Sequence, residues 1–118
     1  MDPAPSLNDL IWLFGCQPSY LYPEEARYWP YTTVDFEVIR DHRSLHIRLQ
    51  PGDREVRLGV SVDGESVTDL LLRQVATVSV ERLPGRELLR VDFDPTLPVS
   101  SLFARVKPDI SLGWEIHE

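Results

Sequence analysis

Residues 34–49 read VDFEVIRDHRSLHIRL, and this stretch decides the fold. Apolar side chains occupy every second position on both sides of a short polar break, which is the pattern of two half-buried β-strands. If the two central polar residues form the loop, Val38 lies opposite Leu45 on one face and Asp35 lies opposite Arg48 on the other. Because both faces agree on one register, the stretch predicts an antiparallel hairpin.

The same alternation continues toward the C-terminus, with turn signals between the apolar runs. The further runs are Val56–Val62, Val67–Leu72, Ala76–Val80, Leu89–Phe93, Leu102–Val106 and Ile110–Ile116. Residues 31–117 therefore predict an antiparallel meander of about eight short strands. Because a sheet of that length curls or folds over, we expect a mainly β fold, either an open barrel or a two-layer sandwich.

The later hairpins have registers of their own. A loop at Pro84-Gly85 places Ala76 opposite Phe93, although proline cannot take the positive φ of the usual two-residue loop. The last hairpin places Leu102 opposite Trp114. These pairings put the apolar positions of neighbouring strands on one common face.

The N-terminal part of the chain has a different pattern. Residues 6–15 predict one short helix, with Ser6 as N-cap and Gly15 as the residue that ends it. Residues 16–30 contain three prolines and predict a long loop. The whole chain, 1–118, is of a length that fits a single domain, with the helix packed on the sheet.

Charge and composition exclude some classes of protein. The net charge of −7 disfavours nucleic acid as a partner, because affinity for phosphates needs clustered Lys and Arg. We expect no targeting or membrane-spanning segment, because residues 1–5 have no positive charge and the apolar stretches are too short. With a single cysteine, Cys16, the chain favours the reducing cytoplasm and excludes an internal disulfide framework.

Side chains that carry out catalysis are few and scattered. His42 and His46 are four residues apart, roughly 13 Å along a strand that rises about 3.3 Å per residue, which is too far for one metal ion. Cys16 follows the predicted C-terminus of the helix, whereas a reactive thiolate favours a helix N-terminus or a cationic neighbour. No nucleophile elbow, phosphate-binding loop or zinc-protease motif occurs in the sequence. We therefore expect no catalytic residue, no metal and no cofactor.

Asp69 is an acidic residue that the alternation places among apolar positions. If Val60 lies opposite Val67, then Asp69 lies opposite Leu58 on the apolar face. Either a β-bulge turns the carboxylate outward, or it is a buried acid with a shifted pKa. The second alternative supports the weakest hypothesis, an enzyme of unknown class.

Aromatic residues are concentrated before the first strand, with seven of the eleven between Trp12 and Tyr31. Tyr, Trp and Arg dominate protein interfaces because they bury a large area at a small entropic cost. The alternative is that the rings close one end of the core. The predicted partner-binding residues are Tyr20, Tyr22, Glu24, Glu25, Arg27, Tyr28 and Trp29.

These observations favour a non-enzymatic protein-binding module. Toxin-neutralising immunity proteins and small accessory subunits are types of protein with a similar size and acidic charge, and by this analogy the chain is one of them. The partner is a second protein, or another copy of the chain in a homodimer. The alternative is a carrier that holds a small apolar ligand in a cavity under the N-terminal helix.

Overall fold

The strands form two antiparallel sheets in the computed structural model, which describes residues 5–20, 29, 32–107 and 109–116. Sheet I has strands in sequential order: β1 (Ser19–Tyr20), β2 (Val34–Arg40), β3 (Arg43–Gln50), β4 (Glu55–Val62) and β5 (Glu65–Leu72). Sheet II has, also in sequential order, β6 (Val75–Leu83), β7 (Arg86–Phe93), β8 (Val99–Lys107) and β9 (Ser111–Ile116). The helix α1 spans Leu7–Phe14, and a 3-10 turn spans Pro51–Asp53.

The predicted mainly β fold is confirmed, and of the two closures it is the sandwich that the sheets adopt. Sheets I and II do not pair with each other among the described residues, so they do not close into a barrel. One addition concerns the predicted loop 16–30, which contains the short strand β1. Tyr20 pairs there with Val34 of β2. Two residues are too few to show an alternation, so the sequence pattern could not reveal β1.

The first hairpin has the predicted register. Val38 pairs with Leu45 and Asp35 with Arg48, and the apolar members of these pairs are buried. The ion pair between Arg48 and Asp35 follows directly, with Nε 2.8 Å from Oδ1. Local alternation was sufficient here because both strands bury one face.

The later hairpins depart from the prediction at one position. Phe93 pairs with Val75 rather than with Ala76, because a bulge interrupts the β6–β7 ladder near the start of β6. At the Pro84-Gly85 turn, Gly85 has a positive φ of 76°. A turn in which only the second central residue has a positive φ accepts proline at the first, so Pro84 fits this turn. Leu102 pairs with Trp114 as predicted.

Asp69 points outward because of a β-bulge in the ladder between β4 and β5. Val60 pairs with Thr68 rather than with Val67, so the register shifts by one residue. Asp69 then pairs with Gly59 on the outer face, where 62% of its side chain is exposed and its Oδ1 lies 3.6 Å from Arg57 Nε. The bulge alternative is therefore correct, and the chain has no buried acid at this position.

The helix begins and ends as predicted. The Ser6 hydroxyl accepts a hydrogen bond from the Asp9 amide at 3.1 Å, and Gly15 ends the helix in the left-handed conformation. Leu10, Leu13 and Phe14 are buried against the core, so apolar side chains fill the space beneath the helix. No helix among the described residues has the length and apolar content needed to cross a membrane.

The chain passes from sheet I to sheet II at a corner organised by Arg54. Its carbonyl accepts from the Val75 amide and its Nε donates to the Val75 carbonyl, both at 3.1 Å. Gln74, immediately before β6, has a φ of 57° and turns the chain. The start of sheet II is thus held against the β3–β4 connection of sheet I.

Candidate functional site

The aromatic segment is described only at two of its predicted contact residues. Tyr20 lies in β1 and packs partly against the core. Trp29 also packs against the core, and its indole N–H donates to the Pro5 carbonyl at 3.2 Å. These two rings therefore contribute at least part of their surface to the core. The remaining predicted residues, Tyr22, Glu24, Glu25, Arg27 and Tyr28, lie outside the described residues.

A second candidate surface is a groove of about 390 Å³ on the outer face of sheet II. We call it the outer groove. Its floor includes Leu88, Phe103 and Gly113, from three successive strands. Leu88 is buried although it lies on the outer face, and Phe103 pairs directly with Gly113. A Cβ atom added at Gly113 would meet no atom within 4 Å, so the groove is open directly above this residue.

The rim of the outer groove includes Arg86, Arg90 and Arg105. Arg90 is fixed in place, since its Nε donates to Asp92 Oδ1 at 2.9 Å and its Nη1 to Glu81 Oε1 at 3.3 Å. Its guanidinium carbon also lies 5.4 Å from the centre of the Phe103 ring, within the range of a cation–π contact.

The carboxylate behind Arg90 is the centre of a polar network. Asp92 accepts hydrogen bonds from Ser101, Arg90 and Thr77. Burial, the largest single effect, raises the pKa of Asp92, but these hydrogen bonds together outweigh it and the pKa is lowered. The hydrogen bond with Asp92 raises the pKa of Arg90 in turn. The network therefore keeps both groups charged and holds the rim of the groove in one arrangement.

Arg105 is only partly satisfied. Its Nη2 donates to Asp109 Oδ1 at 2.6 Å, whereas its buried Nε has no acceptor among the described residues. An acceptor supplied by a bound molecule can meet that N–H. An apolar floor between arginines is the kind of surface that contributes strongly to protein recognition.

The outer groove was not predicted from the sequence. Arg90 and Arg105 occupy polar positions of the alternation, and each forms an ion pair with a nearby aspartate. Leu88 is the apolar residue on the same face. The available signal was the doublet Leu88-Leu89, in which two adjacent apolar residues must point to opposite sides of a strand.

A cavity of about 350 Å³ on sheet I is lined by Cys16 and His46, two of the titratable residues considered from the sequence. His46 Nε2 lies 3.2 Å from Asp35 Oδ1, which also binds Arg48. The Cys16 thiol donates a hydrogen bond to the Glu37 carbonyl at 3.2 Å and thereby links the end of the helix to β2. Within the described residues, no three His, Cys, Asp or Glu side chains are placed to hold a metal ion together.

The side of the sandwich where β5 and β9 lie exposes apolar side chains. Trp114 and Ile116 of β9 are 50% and 68% exposed. An apolar cleft of about 280 Å³ is lined by Trp114, Phe93 of β7 and Leu71 of β5. We call it the edge cleft. Trp114 pairs with the buried Leu102, so it belongs to the inner face of sheet II but is left half covered.

Comparisons with known proteins show a structural similarity. No family model matches the chain, and no curated protein matches it in sequence. Among solved structures, a chain of the contact-dependent growth inhibition toxin–immunity protein complex from Klebsiella pneumoniae 342 has the same fold. The TM-score is 0.80 over 95% of this chain and 95% of that one, with 10% sequence identity.

Proposed function

We propose that this chain is a non-enzymatic protein-binding module of the immunity type, which binds a toxin-like protein and blocks its action. The observation that carries the proposal is the fold shared with a chain of a toxin–immunity protein complex over 95% of both chains. Either member of that complex has a protein as its partner. The proposal therefore requires a protein ligand. The charge of this chain indicates whether it has the role of the toxin or that of the immunity protein.

The net charge of −7 favours the immunity role. A strongly acidic protein attracts basic partners over long distances and repels polyanionic substrates. Asp69 is exposed and lies beside Arg57, so its surroundings do not favour the enzyme hypothesis. The filled space beneath α1 leaves the small-ligand alternative without a specific observation in its favour.

Two surfaces supply the proposed contacts. The first is the aromatic segment, through Tyr20, Tyr22, Tyr28 and Trp29 with the charged residues between them. The second is the outer groove, where Phe103 and the arginines combine an aromatic ring with guanidinium groups. Residues of these types contribute most of the binding free energy at protein interfaces.

The first experiment is affinity capture from a lysate of the source cells, followed by reconstitution with the purified captured protein. We expect a stable complex between the two proteins. We also expect that expression of the captured protein alone slows bacterial growth and that co-expression of this chain restores it. A captured protein without any effect on growth contradicts the immunity role, and the absence of any specific partner contradicts the proposal as a whole.

Variants assign the contacts to the two surfaces. Tyr22→Ala/Tyr28→Ala tests the aromatic segment, and Gly113→Leu tests the outer groove, where an added Cβ meets no atom within 4 Å. The matched control is Gly52→Ala, at an exposed glycine that also has no atom within 4 Å of an added Cβ. At least one of the two test variants is expected to weaken binding by more than about 1 kcal/mol, measured by calorimetry, while the control binds normally. If both test variants fold and bind as the wild type does, neither surface is the site.

A further inference from the structure

We infer that the free edge of β9 accepts an extended strand from the protein partner, which continues sheet II by one strand. This inference rests on the proposed function, and it specifies how the partner is held. Strand addition takes its affinity from main-chain hydrogen bonds and its specificity from pockets for alternate side chains. Both requirements can be examined at β9.

One hydrogen bond shows which backbone groups of β9 face β8 and which face away from it. The Glu115 carbonyl accepts a hydrogen bond from the Ser100 hydroxyl of β8 at 3.0 Å, so it faces β8. In an antiparallel ladder the N–H and C=O of one residue point to the same side, and successive residues alternate. The polar backbone groups of Trp114 and Ile116 therefore face away from β8. Within the described part of the chain, β9 pairs with no strand on that side.

The other sheet edges are protected in ways that β9 is not. The edge strand β1 has only two residues, and β6 is engaged at its start by Arg54 and near its end by α1, through Arg82. The long edge strand β5 is interrupted by the bulge at Val67. These are the devices by which proteins prevent unwanted strand pairing. By contrast, β9 has neither lysine nor proline among its six residues, and it exposes Trp114 and Ile116.

Pockets for alternate side chains lie on the two faces of sheet II beside β9. Trp114 lines the edge cleft on the inner side. Its neighbour Gly113 lines the outer groove on the opposite side. A strand added beside β9 places its own side chains alternately toward these two sides. The inner positions suit apolar side chains, since the edge cleft is lined by Leu71, Phe93 and Trp114.

Charge distinguishes a different protein from a second copy of this chain. Two copies, each with a net charge of −7, repel each other as they approach. On the outer side of the edge, Glu115 is exposed and favours a basic residue on the added strand, whereas the arginine-lined outer groove beside Gly113 favours a hydrogen-bond acceptor. The occupant is therefore an extended segment of a basic protein, with apolar residues at alternate positions.

The test uses a displayed library of random twelve-residue peptides selected on the immobilised wild-type chain, so it does not depend on the natural partner. Enriched peptides are synthesised and their affinities are measured for the wild type, Trp114→Ala and Trp114→Pro. Both variants lose the indole ring, but only proline also removes the outward N–H. An edge position tolerates proline, and circular dichroism with thermal unfolding establishes that both variants fold.

We expect the peptides to bind Trp114→Pro at least about tenfold more weakly than Trp114→Ala, because main-chain hydrogen bonds are lost. We also expect slower hydrogen exchange at the amides of Leu112, Trp114 and Ile116 when a peptide is bound. If Trp114→Pro does not fold, peptides methylated at alternate amide nitrogens replace it. One set of methyl groups should abolish binding to the wild type, and the complementary set should leave it intact.

Three results overturn the inference. The first is the absence of any enriched peptide, and the second is equal binding to both Trp114 variants or to both methylated sets. The third is a wild-type dimer in light scattering whose β9 amides are already protected, which assigns the edge to a second copy. None of these results bears on whether a toxin-like protein binds elsewhere, so failure here is distinct from failure of the proposed function.

Discussion

At the scale of single residues, the carboxylate of Asp92 lies at the centre of the polar network on sheet II. It accepts hydrogen bonds from a buried serine, an arginine and a threonine, on three different strands of sheet II. Such charge-assisted hydrogen bonds are stronger than neutral ones. The network ties β6, β7 and β8 together on the face that contains the outer groove.

Asp92 makes stability depend on pH in the acid range. The pKa of Asp92 is lowered in the folded chain, so the folded chain binds a proton at this carboxylate less tightly than the unfolded chain does. The stabilisation is complete above the unfolded pKa of about 4 and is lost as pH falls through the folded pKa. We predict that Asp92→Asn lowers the free energy of unfolding at pH 7 by about 1 kcal/mol. The same substitution should make the loss of stability below pH 4 less steep.

Urea titrations between pH 7 and pH 2.5 test this prediction, with Asp53→Asn in the exposed 3-10 turn as the control. The pKa of Asp94 is also lowered, by hydrogen bonds from the backbone and hydroxyl of Thr96, so part of the acid dependence remains in Asp92→Asn. An acid dependence identical to that of the wild type would show that the network does not couple folding to pH.

At the scale of secondary-structure elements, the helix is attached to sheet II by Trp12. The Arg82 guanidinium of β6 lies 3.6 Å from the centre of the ring, and the Lys107 ammonium of β8 lies 4.7 Å from it. Arg82 also lies 3.5 Å from Asp9 of the helix. The helix is therefore held by two sets of contacts: its buried apolar side chains pack on the core, and Trp12 and Asp9 bind the cations of sheet II.

We predict that Trp12→Ala lowers the free energy of unfolding by about 1–2 kcal/mol, because two cation–π contacts and the packing of a large ring are lost. Amides of α1 should then exchange faster than those of the strands, since an eight-residue helix is not stable by itself. Asn8→Ala, at an exposed helical position, is the matched control and should not destabilise the chain. Equal stability of the two variants would mean that Trp12 plays no part in holding the helix.

At the scale of the whole molecule, the net charge and the exposed apolar surfaces act over different distances. The net charge of −7 acts over long distances, whereas the edge cleft and the outer groove act only on contact. In the proposed complex, electrostatic attraction governs the approach of the partner, and the short-range surfaces govern how long it stays bound.

Association with the captured partner should accordingly depend on salt. We predict that the association rate constant falls by about tenfold or more between 50 and 500 mM NaCl, while the dissociation rate changes little. Stopped-flow fluorescence separates the two rates, and potassium sulfate at matched ionic strength controls for effects specific to chloride. An association rate that is independent of salt would exclude steering by the net charge.

Much of the chain's local structure could be predicted from the sequence by itself. The eight strands β2–β9, the register of the first hairpin and both ends of the helix follow from the spacing of apolar residues and from Ser6 and Gly15. These features depend on residues close in sequence, so a period of two or a capping residue is sufficient to specify them. The clustering of aromatic residues near Tyr20 and Trp29 was likewise visible in the sequence.

Features that depend on distant residues were decided only by the tertiary structure. The bulge at Val67 turns Asp69 outward, and the corner at Gln74 divides the meander into two sheets. The outer groove brings together four strands, and Trp114 remains half exposed because β9 lies at an edge. The alternation shows which face of a strand a side chain occupies. What lies across from that face is set by packing between elements that are far apart in the chain.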